Sequence, residues 1–338
     1  MNKETYKFPK INKSKVDDML KKVKYFEIRN SDVFLIGHLK SGTTWAQEMI
    51  WLILNNLDYK GAKIFVDERF PVLELNGYYC KDDPELTVPE CHWNSLEFVT
   101  RMKDPRCIKT HLKWELLPNE ILDKTKKPKI IYMARNPKDV CLSSYYYFRY
   151  MINSINCTLE EYVDFFLKGH IFADDRSENY WNHVLYFWER RNESNVLFIK
   201  YEDMKRNLAN VIQKVAEFLE KPISNEQISY LVNWLDFESM KNNAAVNHES
   251  IYRKGGFMRD GKVGAHEKAM SSNMIEKFNS WIEENLKGTD YELHHLRLFL
   301  NLAQLWSLQG FHGQVGHREK NKSFFTYYLS SPSLRQLV

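Results

Sequence analysis

Residues 40–44, KSGTT, place a lysine and three hydroxyl side chains in one short stretch of the chain. An apolar, β-favouring run at Val33–Ile36 precedes this stretch and a helical apolar pattern follows it, so the predicted order is strand, loop and helix. The first N–H groups of such a helix and the positive end of its dipole point towards the loop, which suits a phosphate or sulfate group. Because Gly37 and Gly42 let the backbone come close to such an anion, we interpret the loop as an oxyanion-binding site.

The position of the lysine separates this loop from the P-loop that binds nucleotide triphosphates. Its two glycines keep the P-loop spacing, but Thr43 stands where the P-loop lysine would be, and here the lysine is Lys40. A cation at Lys40 can neutralise an oxygen that bridges a transferred group and its leaving group. Two alternatives stay open on the loop alone: a P-loop kinase, and a glycine-bearing turn that binds no ligand.

A second set of chemical side chains comes from residues 106–112, RCIKTHL, which are predicted to form a short strand. Ligands of open parallel sheets collect outside the carboxyl ends of the strands, so Lys109 and His111 are expected at the same edge as Lys40. His111 could take the proton from an acceptor hydroxyl group as its oxygen attacks. A structural, hydrogen-bonding role for this histidine is the alternative.

Arg135 ends a third predicted strand, residues 129–134, and a helix is predicted to start at Pro137. An arginine fork binds a phosphate through two hydrogen bonds, and Ser143, about two helical turns later, can share the same anion. A metal-dependent phosphotransferase would be expected to end this strand with an aspartate for Mg²⁺. We therefore predict a second phosphate site and no metal.

The remaining pattern predicts one α/β domain. Further helices are expected near residues 16–23, 159–172, 179–191 and 208–219, and a further buried strand at 196–199. Proline and glycine divide residues 58–107 into irregular structure with short helices, of the kind that often forms substrate walls. Cys91 and His92 in that region match no zinc spacing and are expected at the surface. The consecutive aromatic residues at 145–148 cannot all face the core, so some of them are expected to line an acceptor pocket.

Composition limits the class of protein. The net charge of the 338-residue chain is only +4, which gives no global field that would favour nucleic acid or a membrane as partner. No apolar run approaches the roughly 20 residues of a membrane-spanning helix, and no apolar signal sequence opens the chain. The five cysteines are an odd number without metal-like spacing, so reduced thiols in the cytosol are expected. Aromatic residues make up 14% of the chain, enough for a small-molecule pocket as well as a core.

A polar, glycine-bearing segment at residues 242–264 completes the set of candidate anion contacts. Its cations are Arg253, Lys254, Arg259 and Lys262. With two anion sites predicted upstream, we interpret the segment as a flexible cationic flap, and a solvated loop without function is the alternative.

Several motifs, taken in order, resemble those of the cytosolic sulfotransferase family, whose members move a sulfuryl group from 3′-phosphoadenosine 5′-phosphosulfate (PAPS) to small acceptors. The resemblance runs from about residue 25 to residue 292. Its motifs are KSGTTW at 40–45, KTHL at 109–112, RNPKDVCLS at 135–143, YEDM at 201–204, residues 237–240 and RDGKVG at 259–264. The family fold is a parallel sheet flanked by helices, a P-loop-like nucleotide-binding fold, which agrees with the strand ends predicted above.

The resemblance also implies a role for each motif. The 5′-phosphosulfate of the donor would be held by Lys40, Ser41, Gly42, Thr43 and Thr44, with Trp45 stacked on the adenine. The 3′-phosphate would be held by Arg135, Ser143, Arg259 and Gly261. The nucleoside contacts would come from Tyr201 and Phe237, with Met240 and Asp260 at neighbouring motif positions. His111 would be the base and Lys109 a helper at the transferred sulfuryl group.

The chain departs from the family pattern at several positions. Leu39 replaces the usual proline before the loop lysine, and His266 replaces a usual tryptophan. Asp260 replaces the central lysine of the usual Arg-Lys-Gly, with Lys262 nearby as a compensating cation. A homodimer would be typical of the family, but the usual C-terminal dimer motif is absent. Residues 294–338 match no part of the family, so we predict a sulfotransferase domain at 1–293 and a separate C-terminal extension.

We therefore expect a cytoplasmic, PAPS-dependent, metal-independent sulfotransferase. Its acceptor would be a hydroxyl or amine group of a small phenolic, alcohol or steroid-like molecule. A relative that binds the nucleotide without catalysis is the main alternative, and a P-loop kinase is a weaker one.

Overall fold

Four short parallel strands form the central sheet. In the computed structural model, which describes residues 12–81, 87–169, 179–248 and 257–293, they are β1 (Val33–Ile36), β2 (Cys107–Thr110), β3 (Lys129–Ala134) and β4 (Val196–Lys200). Their order across the sheet is β2-β1-β3-β4. Ile36 pairs with Thr110 on one side and with Tyr132 on the other, so the carboxyl ends of neighbouring strands lie side by side.

Helices flank this sheet, and the predicted α/β fold is confirmed. The described helices are α1 (Lys13–Lys24), α2 (Thr43–Leu54), α3 (Val66–Arg69), α4 (Glu90–Trp93), α5 (Ser95–Thr100), α6 (Asn119–Leu122), α7 (Pro137–Tyr146), α8 (Leu159–Leu167), α9 (Tyr180–Glu189), α10 (Tyr201–Arg206), α11 (Leu208–Phe218), α12 (Asn225–Trp234), α13 (Phe237–Lys241), α14 (His266–Ala269) and α15 (Ser272–Leu286). Every residue of β1 is buried, as expected for a parallel strand covered on both faces.

Helix α2 begins directly after the predicted anion loop and runs through the core. Eleven of its twelve residues are buried, so the helix is covered on all sides and not on one face alone. Its two interior polar side chains have partners. Gln47 Nε2 donates to Phe70 O over 2.5 Å, and the Glu48 carboxylate accepts from Arg69 and from Trp234 Nε1.

A buried ion pair joins β1 and β2 at the edge where both strands begin. Arg106 donates to the two carboxylate oxygens of Asp32 over 2.7 Å and 2.6 Å, and both side chains are at most 1% exposed. Arg106 also donates to Glu27 O over 2.9 Å. This two-pronged contact fixes the amino edge of the sheet and leaves the carboxyl edge for chemistry.

The prediction that Cys91 and His92 lie at the surface is wrong. Both are buried, at 0% and 2% exposure, because α4 turns them inward. His92 Nε2 donates to Asp67 Oδ2 over 2.8 Å, while Nδ1 of the same ring is buried without a hydrogen-bond partner among the described residues. Apolar periodicity could not show this contact, since a four-residue helix is too short to display a face.

Of two aromatic segments, one differs in its length from the prediction and the other agrees with it. The helix expected at 159–172 ends at Leu167, and Gly169 then takes a φ of 74°, while positions 170–172 lie outside the described residues. Helix α7 passes into a π-helical turn at Tyr147–Met151. The run at 145–148 is divided as expected: its first and last rings are buried, and the two between them are half-buried.

The chain divides into residues 1–291 and 292–338, and only residues 292 and 293 of the second unit are described. The predicted extension from residue 294 therefore lies outside the described residues, and its boundary stays a prediction. Among the described residues, no helix is both long enough and apolar enough to cross a membrane. All five cysteines are free thiols, and the cytosolic location stays a prediction.

Candidate active site

The carboxyl ends of the four strands bring predicted site residues to one edge of the sheet. Lys40 follows β1, His111 follows β2, Arg135 follows β3, and Tyr201 follows β4. Two hydrogen bonds connect the ends of β2 and β3 to the loop after β1. His111 Nδ1 donates to Gly37 O over 2.6 Å, and Arg135 Nη1 donates to Lys40 O over 3.3 Å.

Gly42 determines the shape of the anion loop. It is the N-cap of α2 and has a φ of 93°, and a Cβ at this position would stand 2.5 Å from Tyr201 Cδ2. Only glycine meets both conditions. Beside it, Ser41 Oγ is buried and has no hydrogen-bond partner among the described residues. A buried hydroxyl at a helix N-terminus is a group that a bound oxyanion would satisfy.

The remaining loop residues surround this position. Thr43 and Thr44 open α2 and are buried at 4% and 7% exposure. Trp45 is half-buried: its Nε1 donates to Leu235 O over 2.8 Å, and its ring centroid lies 5.5 Å from that of Tyr201. The indole is therefore fixed by the fold beside the loop, where the predicted adenine contact would be made.

Lys40 is half-buried and carries its ammonium group between two aromatic rings. Its Nζ lies 4.6 Å from the ring centroid of Tyr147 and 4.1 Å from that of Phe257. Burial, with repulsion from Lys109 and Arg135, lowers the pKa of Lys40 to about 7. A neighbouring anion would favour the charged form and raise this pKa again, so the side chain is suited to bind a negative group.

The hydrogen bonding of His111 defines its basic nitrogen. Because Gly37 O can only accept, Nδ1 must carry the ring hydrogen, and Nε2 is left with its lone pair. Nε2 has no protein partner among the described residues. The backbone N–H of His111 donates to Glu74 Oε1 over 2.8 Å, which fixes the residue at the strand end. Burial, together with repulsion from Lys109, lowers the pKa of His111 to about 3, so the ring is neutral at neutral pH.

Lys109 is buried next to the same edge, at 5% exposure. Its Nζ donates to Gln47 Oε1 of α2 over 3.1 Å. Burial lowers the pKa of Lys109, while the carboxylates of Asp67 and Glu74 oppose that shift. Among the described residues, the ammonium group is therefore held in the protein interior by one amide oxygen, with two acids nearby.

Arg135 connects the anion loop to residues 257–264. Its Nη2 donates to Lys262 O over 3.1 Å, and its guanidinium carbon lies 4.2 Å above the ring of Tyr201. Its Nε is buried and has no partner among the described residues, which leaves a charged donor for an anion. Ser143 lies half-buried on α7, and its predicted part in the same phosphate site stays a prediction.

Residues 257–264 contain the other predicted phosphate contacts. Arg259 is exposed, with its guanidinium carbon 4.5 Å from the ring centroid of Tyr146. The charge of Asp260 is offset by Lys262, whose Nζ lies 3.1 Å from its carboxylate. Gly261 has a φ of 61°, and a Cβ there would stand 2.2 Å from Phe237 Cδ2.

Close contacts anchor this part of the predicted flap. Asp139 of α7 accepts from the backbone N–H of Gly264 over 2.8 Å and from His266 Nδ1 over 2.7 Å. His266, the residue in place of the family tryptophan, is thus a buried anchor. Met240 of α13 is also buried, at 2% exposure. The cations Arg253 and Lys254 lie outside the described residues.

Sequence reasoning missed several polar residues that hold the site. Asp139 and Glu202, whose Oε1 accepts from the backbone N–H of Asn136 over 2.8 Å, lie inside motifs already singled out, so a buried acid could have been sought there. Asp67 lies in the irregular region before β2, where no pattern marks it. Among the described residues, no group of histidine, cysteine, aspartate or glutamate is placed to hold a metal.

Known proteins are similar to this chain in sequence and in fold. Residues 30–290 match the family described as Sulfotransferase domain. Luciferin sulfotransferase of Photinus pyralis is 39% identical, over 83% of this chain and 79% of the relative. Sulfotransferase 1B1 of Mus musculus is 32% identical, over 80% of this chain and 88% of the relative.

Solved structures agree. The fold is similar to that of retinol dehydratase in complex with androsterone and the inactive cofactor PAP, with a TM-score of 0.73, 30% identity, and coverage of 83% of this chain and 88% of that chain. Because the family match spans most of the chain and relatives above 30% identity cover it, the chain belongs to the sulfotransferase family.

Proposed function

We propose that this enzyme transfers a sulfuryl group from PAPS to the hydroxyl or amine group of a small, largely apolar acceptor, with His111 as base and Lys40 at the departing phosphate. The observation that carries the proposal is the bond from His111 Nδ1 to Gly37 O, 2.6 Å long, in the loop that also carries Lys40. It leaves Nε2 free to accept a proton at the sheet edge where the cations lie.

The neutral state of His111 suits this role. Its pKa of about 3 results from burial first and from the nearby Lys109 cation second. Negative charge gathered at the site during transfer would oppose that cation and strengthen the base. The His111 ring is therefore neutral before the transfer, and its basicity increases as negative charge develops.

Lys40 and Lys109 supply positive charge without a metal. Bound PAPS supplies the reactive sulfuryl group and a phosphate leaving group. Lys40, in its loop of backbone N–H donors, would stabilise the charge that develops on the bridging oxygen, and Lys109 would act at the sulfuryl oxygens. Fixed donors of this kind need no reorganisation during the reaction.

The donor sets fit a nucleotide with two anionic ends. Ser41 Oγ and Arg135 Nε are both buried groups without hydrogen-bond partners among the described residues. Ser41 lies in the anion loop, and Arg135 contacts both that loop and the segment of Lys262. We assign the 5′-phosphosulfate to residues 40–44 and the 3′-phosphate to Arg135, with Ser143, Arg259 and Gly261.

Two aromatic rings favour an apolar acceptor. Tyr147, in the π-helical turn, and Phe257 both contact the ammonium group of Lys40, so they lie next to the reaction centre. Flat apolar molecules stack well on such rings. Relatives with related folds are recorded with androsterone and with retinol. The acceptors to test are therefore steroids, retinol-like alcohols and phenols.

The test measures transfer of a radiolabelled sulfuryl group from PAPS to naphthol, androsterone, retinol and firefly luciferin in the presence of EDTA. We expect the wild-type protein to be active in EDTA. His111→Gln removes the ring nitrogen that accepts the proton, so kcat should fall on the order of 10²- to 10⁴-fold. Lys40→Met should reduce kcat on the order of 10²- to 10³-fold.

Binding and a control variant complete the test. Calorimetry with 3′-phosphoadenosine 5′-phosphate (PAP) should show unchanged affinity in His111→Gln, since that residue acts on the acceptor. Lys63→Met, at an exposed lysine remote from the anion loop, should behave as wild type. Tight PAP binding without turnover of any acceptor would favour the non-catalytic alternative. Turnover of ATP that requires magnesium would favour the kinase.

A further inference from the structure

A row of buried polar side chains lies behind Lys109. We define the Asp67 cluster as Gln47, Asp67, His92 and His248. We propose that the Asp67 cluster is a positioning device for the reaction, in which Asp67 acts through Gln47 to hold the Lys109 ammonium in place and charged. This inference rests on the proposed sulfuryl transfer and goes beyond it, because none of these four residues belongs to a recognised motif.

The contact from Lys109 to Asp67 passes through one amide. Lys109 Nζ donates to Gln47 Oε1 over 3.1 Å, and Gln47 Nε2 donates to Asp67 Oδ1 over 3.2 Å. The same Nε2 donates to Phe70 O over 2.5 Å, which fixes the amide orientation with its oxygen towards Lys109. Gln47 therefore cannot turn without losing three contacts.

The second oxygen of Asp67 is held from the other side. His92 Nε2 donates to Asp67 Oδ2 over 2.8 Å, and His248 Nδ1 lies 3.7 Å from the same oxygen. Asp67 is 3% exposed, and Gln47 is fully buried. The carboxylate is thus built into α3 with contacts from α2, α4 and the chain after α13.

A purely structural role explains this arrangement poorly. Burial of a carboxylate is expensive unless it is paired, and well-packed apolar residues often stabilise a fold as much as a buried ionic group does. The Asp67 carboxylate is separated by two hydrogen bonds from Lys109, which lies at the carboxyl edge of the sheet. A fixed negative charge at Asp67 favours the protonated form of Lys109, and this effect on the reaction would explain why the carboxylate is buried.

The Asp67 cluster also contacts Phe257, one of the two aromatic rings beside Lys40. The rings of His248 and Phe257 are 4.4 Å apart between centroids, and Phe257 lies 4.1 Å from Lys40 Nζ. One end of the Asp67 cluster therefore meets Lys109, and the other meets the ring against Lys40. Loss of the cluster would disturb the positions of both active-site lysines.

Electrostatics gives the cluster a measurable signature. Burial lowers the pKa of Lys109, and Asp67 and Glu74 oppose that shift. The charged or titratable groups that face Lys109 are Asp67, Glu74, Lys40, His111 and His248. Removing the Asp67 charge therefore lowers the pKa of Lys109 further, so the ammonium is lost at a lower pH.

The test compares Asp67→Asn with the wild-type protein, using naphthol as acceptor. We expect kcat to fall on the order of 10- to 100-fold, because a displaced Lys109 no longer meets the reacting group. The PAP dissociation constant should stay within about twofold of wild type. The alkaline limb of the kcat profile should move to lower pH.

Exchanging the amide and the carboxylate between Gln47 and Asp67 distinguishes an effect on Lys109 from a general loss of stability. The double variant Gln47→Glu with Asp67→Asn moves the carboxylate one hydrogen bond closer to Lys109 and keeps one amide in the pair. Because it also removes the donor to Phe70 O, its unfolding midpoint should fall. It should restore the alkaline limb to the wild-type pH or beyond. Glu48→Gln is the matched control, since it neutralises another buried acid. Glu48 lies next to Gln47 on α2 and pairs with Arg69 instead of the Asp67 cluster. The control should lower the unfolding midpoint and leave the alkaline limb in place.

Further measurements keep the inference testable if Asp67→Asn does not fold or if the acceptor is poor. Gln47→Met removes the partner of Lys109 and keeps length and burial, so it should lower kcat with unchanged PAP affinity. NMR of nitrogen-labelled lysine, with the Lys109 signal assigned by its loss in Lys109→Met, follows the Lys109 charge without any turnover. An alkaline limb and a Lys109 titration that match wild type in the Asp67 or Gln47 variant would overturn the inference. A wild-type protein with no transfer to any acceptor would instead refute the proposed function.

Discussion

Replacement of Gly261 by alanine is a strict test of the proposed 3′-phosphate site. Gly261 has a φ of 61°, in the left-handed region, and a Cβ there would stand 2.2 Å from Phe237 Cδ2. With alanine at position 261, the free protein would adopt another backbone conformation there. Binding of the nucleotide would then have to restore the left-handed one. The left-handed backbone alone costs roughly 1–2 kcal/mol for a residue with a Cβ. That corresponds to PAP affinity about 5- to 30-fold weaker, before any cost of moving Phe237.

Two assays measure this loss. Calorimetry gives the PAP dissociation constant directly. Thermal or urea unfolding with PAP at 100 times the wild-type dissociation constant gives the linked stability, which should be about 2.7 kcal/mol for wild type. A variant with 30-fold weaker binding should gain only about 0.9 kcal/mol under the same conditions.

Gly288→Ala is the matched control for Gly261→Ala. Gly288 follows α15 with a φ of 82°, and a Cβ there would meet no atom within 4 Å. The control therefore adds the same kind of backbone strain at a place remote from the proposed nucleotide contacts, and it should lower stability without a change in PAP affinity. If Gly261→Ala binds PAP within twofold of wild type, or if both variants weaken it equally, the assignment of Gly261 to the phosphate site is refuted.

Two further predictions concern stability. Burial lowers the pKa of His38 to about 4 and of His183 to about 3, whereas an unfolded histidine titrates near 6.5. The unfolded chain therefore binds more protons between these values, and the free energy of unfolding should fall as the pH drops from about 6.5 towards 4. Urea unfolding at pH 7 and pH 5 checks this, and equal midpoints would contradict it. Separately, Asp32→Asn leaves the Arg106 guanidinium buried without its charge partner and should lower the free energy of unfolding by about 3–5 kcal/mol. Asp18→Asn, at an exposed ion pair, should change it by less than about 1 kcal/mol in the same urea experiment, and similar losses in the two variants would argue against the reasoning.

The strands and the anion loop could be predicted because their signals are local. Val33–Ile36 and Lys129–Ala134 are apolar runs bounded by glycine or charge, and both are strands within the predicted limits. Apolar runs of this kind have to be buried on both faces, which leaves a parallel sheet as the simplest solution. The parallel arrangement then places Lys40, His111 and Arg135 at one edge, as predicted.

The interior contacts of the irregular region could not be predicted. Cys91 and His92 were expected at the surface, yet both are buried. His92 contacts Asp67, which lies 25 positions away in the chain. No periodicity relates such positions. Gln47 shows the same limit, since two of its hydrogen-bond partners, Lys109 and Asp67, lie on different elements of the chain.

The sequence alone determined the order of strand, loop and helix, the family motifs and the side chains able to bind anions, because each depends on residues close together in the chain. Tertiary structure decided the hydrogen-bonded form of His111, the aromatic surroundings of Lys40 and the charge behind Lys109. These properties depend on burial and on distances of a few ångströms between remote segments, and packing of the whole domain sets both. A pKa or a proton position is a property of that packing, and no single stretch of sequence contains it.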